Sequence, residues 1–127
     1  MKVGIKNQIK KTVVEGLTAK VMGSGRLDVF ATPAMVAMME EAAHTSVEAE
    51  LEEGQGTVGT SMTVSHIAAT PVGMEVTCES ELVEVDGRKL VFEIKAMDEA
   101  GLIGEARHER FIIENEKFLA KTNAKLK

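Results

Sequence analysis

The sequence predicts an α+β fold in which one long, buried helix is covered by an antiparallel sheet of about five strands. Residues 33–43 form an almost uninterrupted run of Ala and Met, which is typical of a helix buried on most of its sides. From Gly56 onward, apolar and polar residues alternate with the period of two that is typical of half-buried strands. Asp86-Gly87, between two such alternating runs, is a strong hairpin signal.

The N-terminal quarter of the chain is less regular. Residues 3–14 place Ile5, Ile9 and Val13 among lysines. We interpret this segment as a strand, although the same spacing also suits one face of a helix. Residues 15–28 contain three glycines and predict a loop that leads into the central helix.

The central helix begins with residues typical of a helix N-terminus, and it contains a glutamate within its apolar run. Thr32 is suited to be its N-cap, and Pro33 to be its first helical residue. We expect the helix to run from residue 33 to about residue 51, with Gly54 as its C-terminal stop. Glu40 lies within the apolar run, where a carboxylate is costly unless it is paired, protonated or used.

The strands follow the helix. Residues 60–68 place Met62, Val64, His66 and Ala68 on one face. Alternating runs at 74–82 and 90–96 flank the predicted hairpin, and a last strand covers residues 102–113. The tail, residues 115–127, is compatible with a short amphipathic helix. Because one thin sheet covers so apolar a helix poorly, we expect a homodimer.

Composition narrows the class of protein. With 127 residues, 44% of them hydrophobic and 28% charged, the chain is expected to be a single domain over residues 1–127 and cytoplasmic, without a membrane span. The single Cys78 excludes an intrachain disulfide. A net charge of −5 argues against nucleic acid as a partner. Lysines crowd both ends of the chain, either as solvated termini or as an attraction for an anionic ligand such as a nucleotide phosphate.

The common sequence motifs do not indicate a dinucleotide site or a metal site. Residues 54–59 spell G-x-G-x-x-G, but they follow a predicted helix and open a strand, the reverse of a dinucleotide site. The three histidines, at 44, 66 and 108, are far apart, and no metal-ligand spacing occurs. We therefore expect neither a metal nor a cofactor.

Three polar residues remain as candidate catalytic groups: Thr32, Glu40 and His66. Taken singly, each has a structural interpretation: an N-cap, an ion pair with Arg107 or Arg110, and a core histidine bonded to a backbone carbonyl. Taken together, Glu40 and His66 both project from apolar surfaces that must pack on each other. A carboxylate and an imidazole brought together at low dielectric are suited to general acid–base catalysis.

Several segments carry a family resemblance. Residues 29–40 (V-F-A-T-P-A-M-V-A-M-M-E), residues 59–71 with V-S-H-I-A-A-T-P, and His108-Glu109-Arg110 resemble the fluoroacetyl-CoA thioesterase-like branch of the hotdog-fold thioesterases. The similarity covers about residues 20–120. It implies a hotdog fold, a long helix wrapped by an antiparallel sheet, that dimerises with active sites at the subunit interface.

The resemblance also implies roles for individual residues. Thr32, Glu40 and His66 match the family's catalytic residues, with Glu40 as general base on water or as nucleophile. His66 is implied to orient the glutamate or to assist the leaving thiolate, and Thr32 to bind or activate. Three further residues are implied as substrate-binding groups: Gly59 through its backbone amide on the thioester carbonyl, Arg110 near the site, and Phe30. The expected partner is an acyl-CoA substrate, with coenzyme A as part of that substrate rather than a cofactor.

One departure from the family bears on specificity. The fluoroacetyl enzyme carries phenylalanines in a lid ahead of its catalytic threonine, and residues 23–28 here contain none. We therefore expect hydrolysis of a small acyl-CoA thioester to the carboxylic acid and free CoA, without selectivity for fluoroacetate. The alternatives are a non-catalytic acyl-CoA binding or sensing module, and a hydratase on the same fold, whose usual Asp/His pair is not present.

Overall fold

One long helix lies on a single antiparallel sheet. The structure, a computed structural model, describes residues 1–126. The strands are β1 (Lys6–Thr12), β2 (Gln55–His66), β3 (Glu75–Asp86), β4 (Lys89–Asp98) and β5 (Gly101–Glu114), and the helices are α1 (Ala19–Met22), α2 (Thr32–Ser46) and α3 (Asn115–Asn123). Single turns of 3₁₀ helix cover Glu15–Leu17 and Glu48–Glu50.

The five strands form one sheet in the order β1-β3-β4-β5-β2, and every neighbouring pair is antiparallel. The N-terminal strand β1 therefore forms one edge of the sheet, and β2, which follows the long helix, forms the other. This order confirms the predicted antiparallel sheet of five strands. It also leaves one edge of the 12-residue strand β2 without a strand partner among residues 1–126.

The core lies between α2 and one face of the sheet. Six helix residues are buried there: Ala34, Met35, Met38, Met39, Ala42 and Ala43. They pack on alternate residues of the strands, including Cys78, Leu82, Phe92 and Ile94. The small Ala42 lets the sheet approach closely, so Asn7 and Ser80 both donate hydrogen bonds to its carbonyl, at 3.0 and 3.3 Å.

The predicted ends of the helix were wrong. Ala31, not Thr32, is the N-cap, and the Thr32 hydroxyl makes no capping bond because it is engaged with a histidine described below. The helix ends at Ser46 rather than near residue 51. Its last hydroxyls bond back to the helix, Thr45 to the Glu41 carbonyl and Ser46 to the Ala43 carbonyl. Gly54, at φ 84°, forms the turn into β2 instead of stopping the helix.

The strand predictions are confirmed in type, with small shifts of their ends. The alternating residues 90, 92, 94 and 96 are all buried, as expected for the inner face. Gly87, at φ 62°, closes the β3–β4 hairpin. The predicted loop at 15–28 contains the short helix α1, and the predicted tail helix spans Asn115–Asn123, with Lys127 outside the described residues. No helix among residues 1–126 has the length and apolarity to cross a membrane.

Candidate active site

Thr32 and His66 form a hydrogen-bonded pair. Thr32 is the first residue of α2, and His66 is the last residue of the edge strand β2. The Thr32 Oγ1 atom lies 2.7 Å from Nδ1 of His66. Thr32 is exposed and His66 is half-buried, so the pair is accessible from the surface while its imidazole is held in place.

The surroundings of His66 favour the neutral imidazole. The ring of Phe30, which is only 2% exposed, stands edge-on to it with the centroids 6.5 Å apart. Burial lowers the pKa of His66, and the nearby backbone of Ala68 opposes this shift in part. Its Nε2 atom is buried and has no hydrogen-bond partner among residues 1–126.

Glu40 belongs to a second cluster, two helical turns further along α2. Its Oε2 atom accepts a hydrogen bond of 3.1 Å from Nη1 of Arg110, a residue of β5 that is 6% exposed. The side chain of Glu40 itself is 41% exposed. This ion pair with Arg110 is one of the two alternatives that the sequence predicts for Glu40, and it accounts for a carboxylate on this apolar helix.

Gly59 and His108 complete this second cluster. A Cβ atom added to Gly59 would lie 2.7 Å from Oε2 of Glu40, so no larger residue fits without displacing the carboxylate. His108 lies beside Arg110, with its Nε2 atom 3.1 Å from Arg110 Nη1. His108 is not among the site residues predicted from the sequence, although its spacing is a signal: His108 and Arg110 are two residues apart and so share one face of β5.

The two clusters do not touch within one chain. Glu40 and His66 form no hydrogen bond or ion pair with each other among residues 1–126, so the expected contact between them is not made inside a single subunit. Eight residues of helix separate Thr32 from Glu40 along the axis by about 12 Å. Along β2, His66 and Gly59 are further apart still, by roughly 20 Å.

Other groups in the chain are less suited to chemistry. Cys78 is fully buried, and burial raises the pKa of its thiol to about 12, which keeps it a thiol at neutral pH. Within residues 1–126 no three His, Cys, Asp or Glu side chains are grouped as metal ligands are. A broad depression on the outer face of the sheet is lined by residues of both charges, among them Lys6, Glu81, Lys95 and Arg107, which is typical of a solvated surface.

The chain matches a known family over most of its length. The profile of the family described as fluoroacetyl-CoA-specific thioesterase covers residues 13–116. Over 98 residues the chain is 45% identical to the fluoroacetyl-CoA thioesterase of Streptantibioticus cattleyicolor, a match that spans 77% of this chain and 70% of that protein.

Solved structures agree with this match. A threonine-to-serine variant of fluoroacetyl-CoA thioesterase in complex with acetyl-CoA superposes with a TM-score of 0.95 and 36% identity, covering 100% of both chains. A thioesterase superfamily member from Thermus thermophilus gives 0.89 and 27%, covering 97% of this chain and 91% of that one. A hot-dog-like protein from Thermanaerovibrio acidaminovorans, 22% identical with a TM-score of 0.91 over 100% and 94%, shares the fold. The chain has the hotdog fold and belongs to the fluoroacetyl-CoA-specific thioesterase family.

Proposed function

We propose that this protein hydrolyses small acyl-CoA thioesters at a site that two copies of the chain build together. The enzyme class follows from the family: the chain is an acyl-CoA thioester hydrolase. The observation that carries the two-chain site is the Thr32–His66 pair, joined at 2.7 Å, in which the buried Nε2 atom of His66 has no partner within residues 1–126. Buried ring nitrogens are rarely left unpaired, so this atom calls for a partner from elsewhere.

The exposed edge of β2 supports a homodimer. A long edge strand presents a row of unpaired N–H and C=O groups, and proteins usually cover such an edge. Pairing β2 with β2 of a second copy about a two-fold axis continues the sheet across both subunits. It also brings further cover to the apolar helix α2, which lies along the same side of the sheet.

This pairing also completes the site. In an antiparallel β2–β2 pair with residues 59 and 66 opposite each other, His66 of one chain faces Gly59 of the partner subunit. Glu40 lies against Gly59 within its own chain. The pairing therefore brings Glu40 of the partner subunit to the Thr32–His66 pair, and the two clusters that one chain keeps apart form one site.

The proton arrangement follows from the chemistry of these partners. A carboxylate only accepts hydrogen bonds, so a neutral His66 facing Glu40 of the partner subunit carries its proton on Nε2. Its Nδ1 atom then holds a lone pair and accepts the hydroxyl proton of Thr32. This order, hydroxyl to imidazole to carboxylate, is that of an activated nucleophile with its base and orienting group.

The reaction then proceeds in two steps. The Thr32 oxygen attacks the thioester carbon as its proton passes to His66, the carbon–sulfur bond breaks, and CoA leaves with that proton. Water then attacks the acyl-threonine ester, gives its proton to His66, and releases the carboxylic acid as the proton returns to Thr32. The N-terminal end of α2, where Thr32 lies, favours the negative charge that develops on the carbonyl oxygen.

Two alternatives for Glu40 remain distinguishable by experiment: a general base that activates water, and a nucleophile on the thioester carbon. In either case Thr32 binds the substrate rather than attacking it. The backbone amide of Gly59 is proposed to hold the thioester carbonyl, Arg110 to hold the Glu40 carboxylate, and Phe30 to line the acyl site beside His66. This scheme needs no metal or cofactor, and we propose a cytoplasmic setting, where acyl-CoA is found.

The segment ahead of Thr32 favours a broad range of small acyl groups. Residues 23–28 carry no aromatic side chain, and Leu27, Val21 and Met22 are exposed aliphatic groups in this region. Aliphatic side chains adapt to different acyl chains better than a fixed aromatic ring does. Acetyl-, propionyl- and fluoroacetyl-CoA should therefore be hydrolysed with kcat/KM values that differ by less than about tenfold.

The test is CoA release, followed with a thiol reagent, from a panel of acyl-CoA esters. The variants Thr32→Ala, Glu40→Gln and His66→Ala are expected to lose about 100-fold or more in kcat/KM. Glu41→Gln is a matched control, since the neighbouring Glu41 pairs with Lys11 on another side of the helix. A folded dimer that binds acyl-CoA but releases no CoA from any ester would support the non-catalytic binding module instead.

Mixing two inactive variants tests the shared site. Glu40→Gln and His66→Ala each damage both sites of their own homodimer. After subunit exchange, a mixed dimer contains one site with an intact Thr32–His66 pair and an intact Glu40 from the other chain. About a quarter of wild-type activity should return, because half of the dimers are mixed and each has one intact site of two. No recovery after verified exchange would show that each site belongs to a single chain.

A further inference from the structure

His108 is a buried histidine that the proposed mechanism does not use. It is 1% exposed, on the face of β5 that looks toward α2, and it touches neither Thr32 nor His66. Both of its ring nitrogens nevertheless have partners. Nδ1 lies 2.8 Å from the carbonyl oxygen of Ser61, and Nε2 lies 3.1 Å from Nη1 of Arg110.

These partners determine the protonation state of the ring. The Ser61 carbonyl can only accept a hydrogen bond, so Nδ1 must carry a proton. The Arg110 guanidinium can only donate, so Nε2 must hold a lone pair. His108 is therefore neutral, in the Nδ1–H form. Burial, together with the neighbouring charge of Arg110, lowers its pKa against the opposing effects of the Ser61 carbonyl and of Glu40.

Arg110 is fixed mainly by contacts that do not involve Glu40. Its Nε donates to the Thr57 hydroxyl at 2.8 Å and its Nη2 to the Thr57 carbonyl at 3.0 Å. Nη1 is the atom that reaches the carboxylate, and it is shared: it bonds to Oε2 of Glu40 at 3.1 Å and to His108. The imidazole thus sets the direction of the one nitrogen that holds Glu40.

A β-bulge brings these groups together. The register between β2 and β5 shifts between Gly59 and Ser61, so Thr60 is the extra residue, and the Ser61 carbonyl turns toward His108. Gly59 closes the cluster from the other side, because an added Cβ would lie 3.2 Å from Cε1 of His108 and 3.3 Å from Nη1 of Arg110. The bulge, the glycine and the histidine leave the guanidinium little freedom.

We propose that neutral His108 is a positioning residue, which aims Arg110 so that Glu40 is held by Oε2 and presents Oε1 to the reacting groups. No hydrogen bond to Oε1 of Glu40 is found among residues 1–126, so that oxygen is available to His66 of the partner subunit or to water. This inference rests on the function proposed for Glu40. It adds a buried histidine, acting through Arg110, to the site.

A set of three substitutions separates this role from simple packing. His108→Phe keeps a ring of similar volume but loses both hydrogen bonds. His108→Gln places an acceptor near the position of Nε2, toward Arg110, whereas His108→Asn restores only the donor toward Ser61. We expect His108→Phe and His108→Asn to lower kcat about 10- to 100-fold with KM changed less than about threefold, and His108→Gln to retain most of the activity.

A double-mutant cycle with Glu40 provides the decisive kinetic result. If His108 acts through Glu40, adding His108→Phe to Glu40→Gln changes the residual rate by less than about twofold. An independent, multiplied loss would overturn the proposal, as would equal activity of all three His108 variants. His44→Asn, which changes a half-buried histidine of α2 outside both clusters, is the matched control, and thermal unfolding verifies that each variant is folded.

Nitrogen NMR of ¹⁵N-histidine-labelled protein tests the protonation state without any turnover. His108 should show a protonated Nδ1 and an unprotonated Nε2, and should keep this pattern at pH values where a free imidazole becomes charged. A protonated Nε2 near neutral pH would refute the arrangement. If instead the NMR pattern is found but no thioester is hydrolysed, the proposed function fails while the geometry of His108 stands.

Discussion

Thr32 is proposed to be important for chemistry and unimportant for folding. Its hydroxyl bonds to His66 rather than capping α2. Removal of a capping hydroxyl costs about 1 kcal/mol, whereas an exposed group that makes no cap should cost less than about 0.5 kcal/mol. Thr32→Ala should therefore lose activity while its free energy of unfolding, measured by denaturant titration, stays within that limit.

Thr32→Ser is the matched variant for this prediction. Serine keeps the hydroxyl that bonds to His66, so it should retain activity within about tenfold of wild type if the hydroxyl attacks the thioester. An active Thr32→Ala would instead assign the attack to water or to Glu40. A loss of stability near 1 kcal/mol in Thr32→Ala would show that the hydrogen bond from Thr32 to His66 contributes to folding as well as to chemistry.

Gly59 is the residue with the least space at the site. In Gly59→Ala the new methyl group meets Oε2 of Glu40 at 2.7 Å, and the carboxylate, the far end of a flexible side chain, is the atom that moves. Activity should fall about 10-fold or more with little change in unfolding temperature. Gly16→Ala, where nothing lies within 4 Å of the added Cβ, is the control. Equal activity of the two variants would contradict the displacement of Glu40 by the new methyl group.

At the scale of single residues, the sequence indicates which residue types belong to the clusters, but it does not indicate which side chains contact each other. A glutamate in an apolar helix and a histidine on an apolar strand face marked both clusters. Which groups contact each other depends on the register of β2 against β5 and on the bulge after Gly59. Neither the register nor the bulge leaves a periodic pattern in the sequence. The Thr32–His66 pair and the role of His108 were therefore not predictable from spacing, although the Glu40–Arg110 pair was among the alternatives.

The strand β2 is the element on which the proposed assembly depends. It forms one edge of the sheet, as β1 forms the other. If two copies pair through β2, the amides of β2 that point away from β5 become hydrogen-bonded and exchange slowly with deuterium. The outward amides of β1 provide the internal control and should exchange fast. Rapid exchange along both edges, in a protein at micromolar concentration, would exclude pairing through β2.

Element types were predictable because they follow from periodicity, whereas element ends depend on tertiary contacts. The buried alternation in β4 and the Asp86-Gly87 turn gave the hairpin directly. The end of α2 at Ser46, five residues before the expected end, depends on the backbone of Val47, at φ −110° and ψ 0°. Nothing in the local composition at 47–51, which contains two Glu and a Leu, marks that break.

Viewed as a whole molecule, the chain holds two separate polar clusters, which the proposed dimer would bring together. The Thr32–His66 pair lies at the C-terminal end of β2, and the Glu40–Arg110 pair lies beside Gly59, closer to the middle of the strand. In the proposed dimer, a two-fold axis midway between Gly59 and His66 brings each pair to the other pair of the second copy, so the dimer would hold two equivalent complete sites. Separating the subunits should therefore abolish activity without unfolding the chains, in contrast to a site contained in one subunit.

The buried neutral His108 links the stability of the whole molecule to pH. Its pKa is lowered by burial and by Arg110, whereas an unfolded histidine titrates near 6.5. As the pH falls below about 6.5, His108 binds a proton in the unfolded state but stays neutral in the folded state, so the free energy of unfolding decreases. This continues down to the folded pKa, by at most about 1.4 kcal/mol per pH unit, and the contribution is constant above pH 6.5.

Denaturant titration between pH 7.5 and 5, at one protein concentration, measures this slope. His108→Gln removes the titrating group, so the pH dependence of its free energy of unfolding should be flatter than that of the wild type by up to one bound proton. A wild-type profile that matches His108→Gln would mean that His108 protonates equally in both states. Because Arg110 lies 3.1 Å from His108 Nε2, that result would require the guanidinium to move away, and it would remove the basis for the positioning role as well.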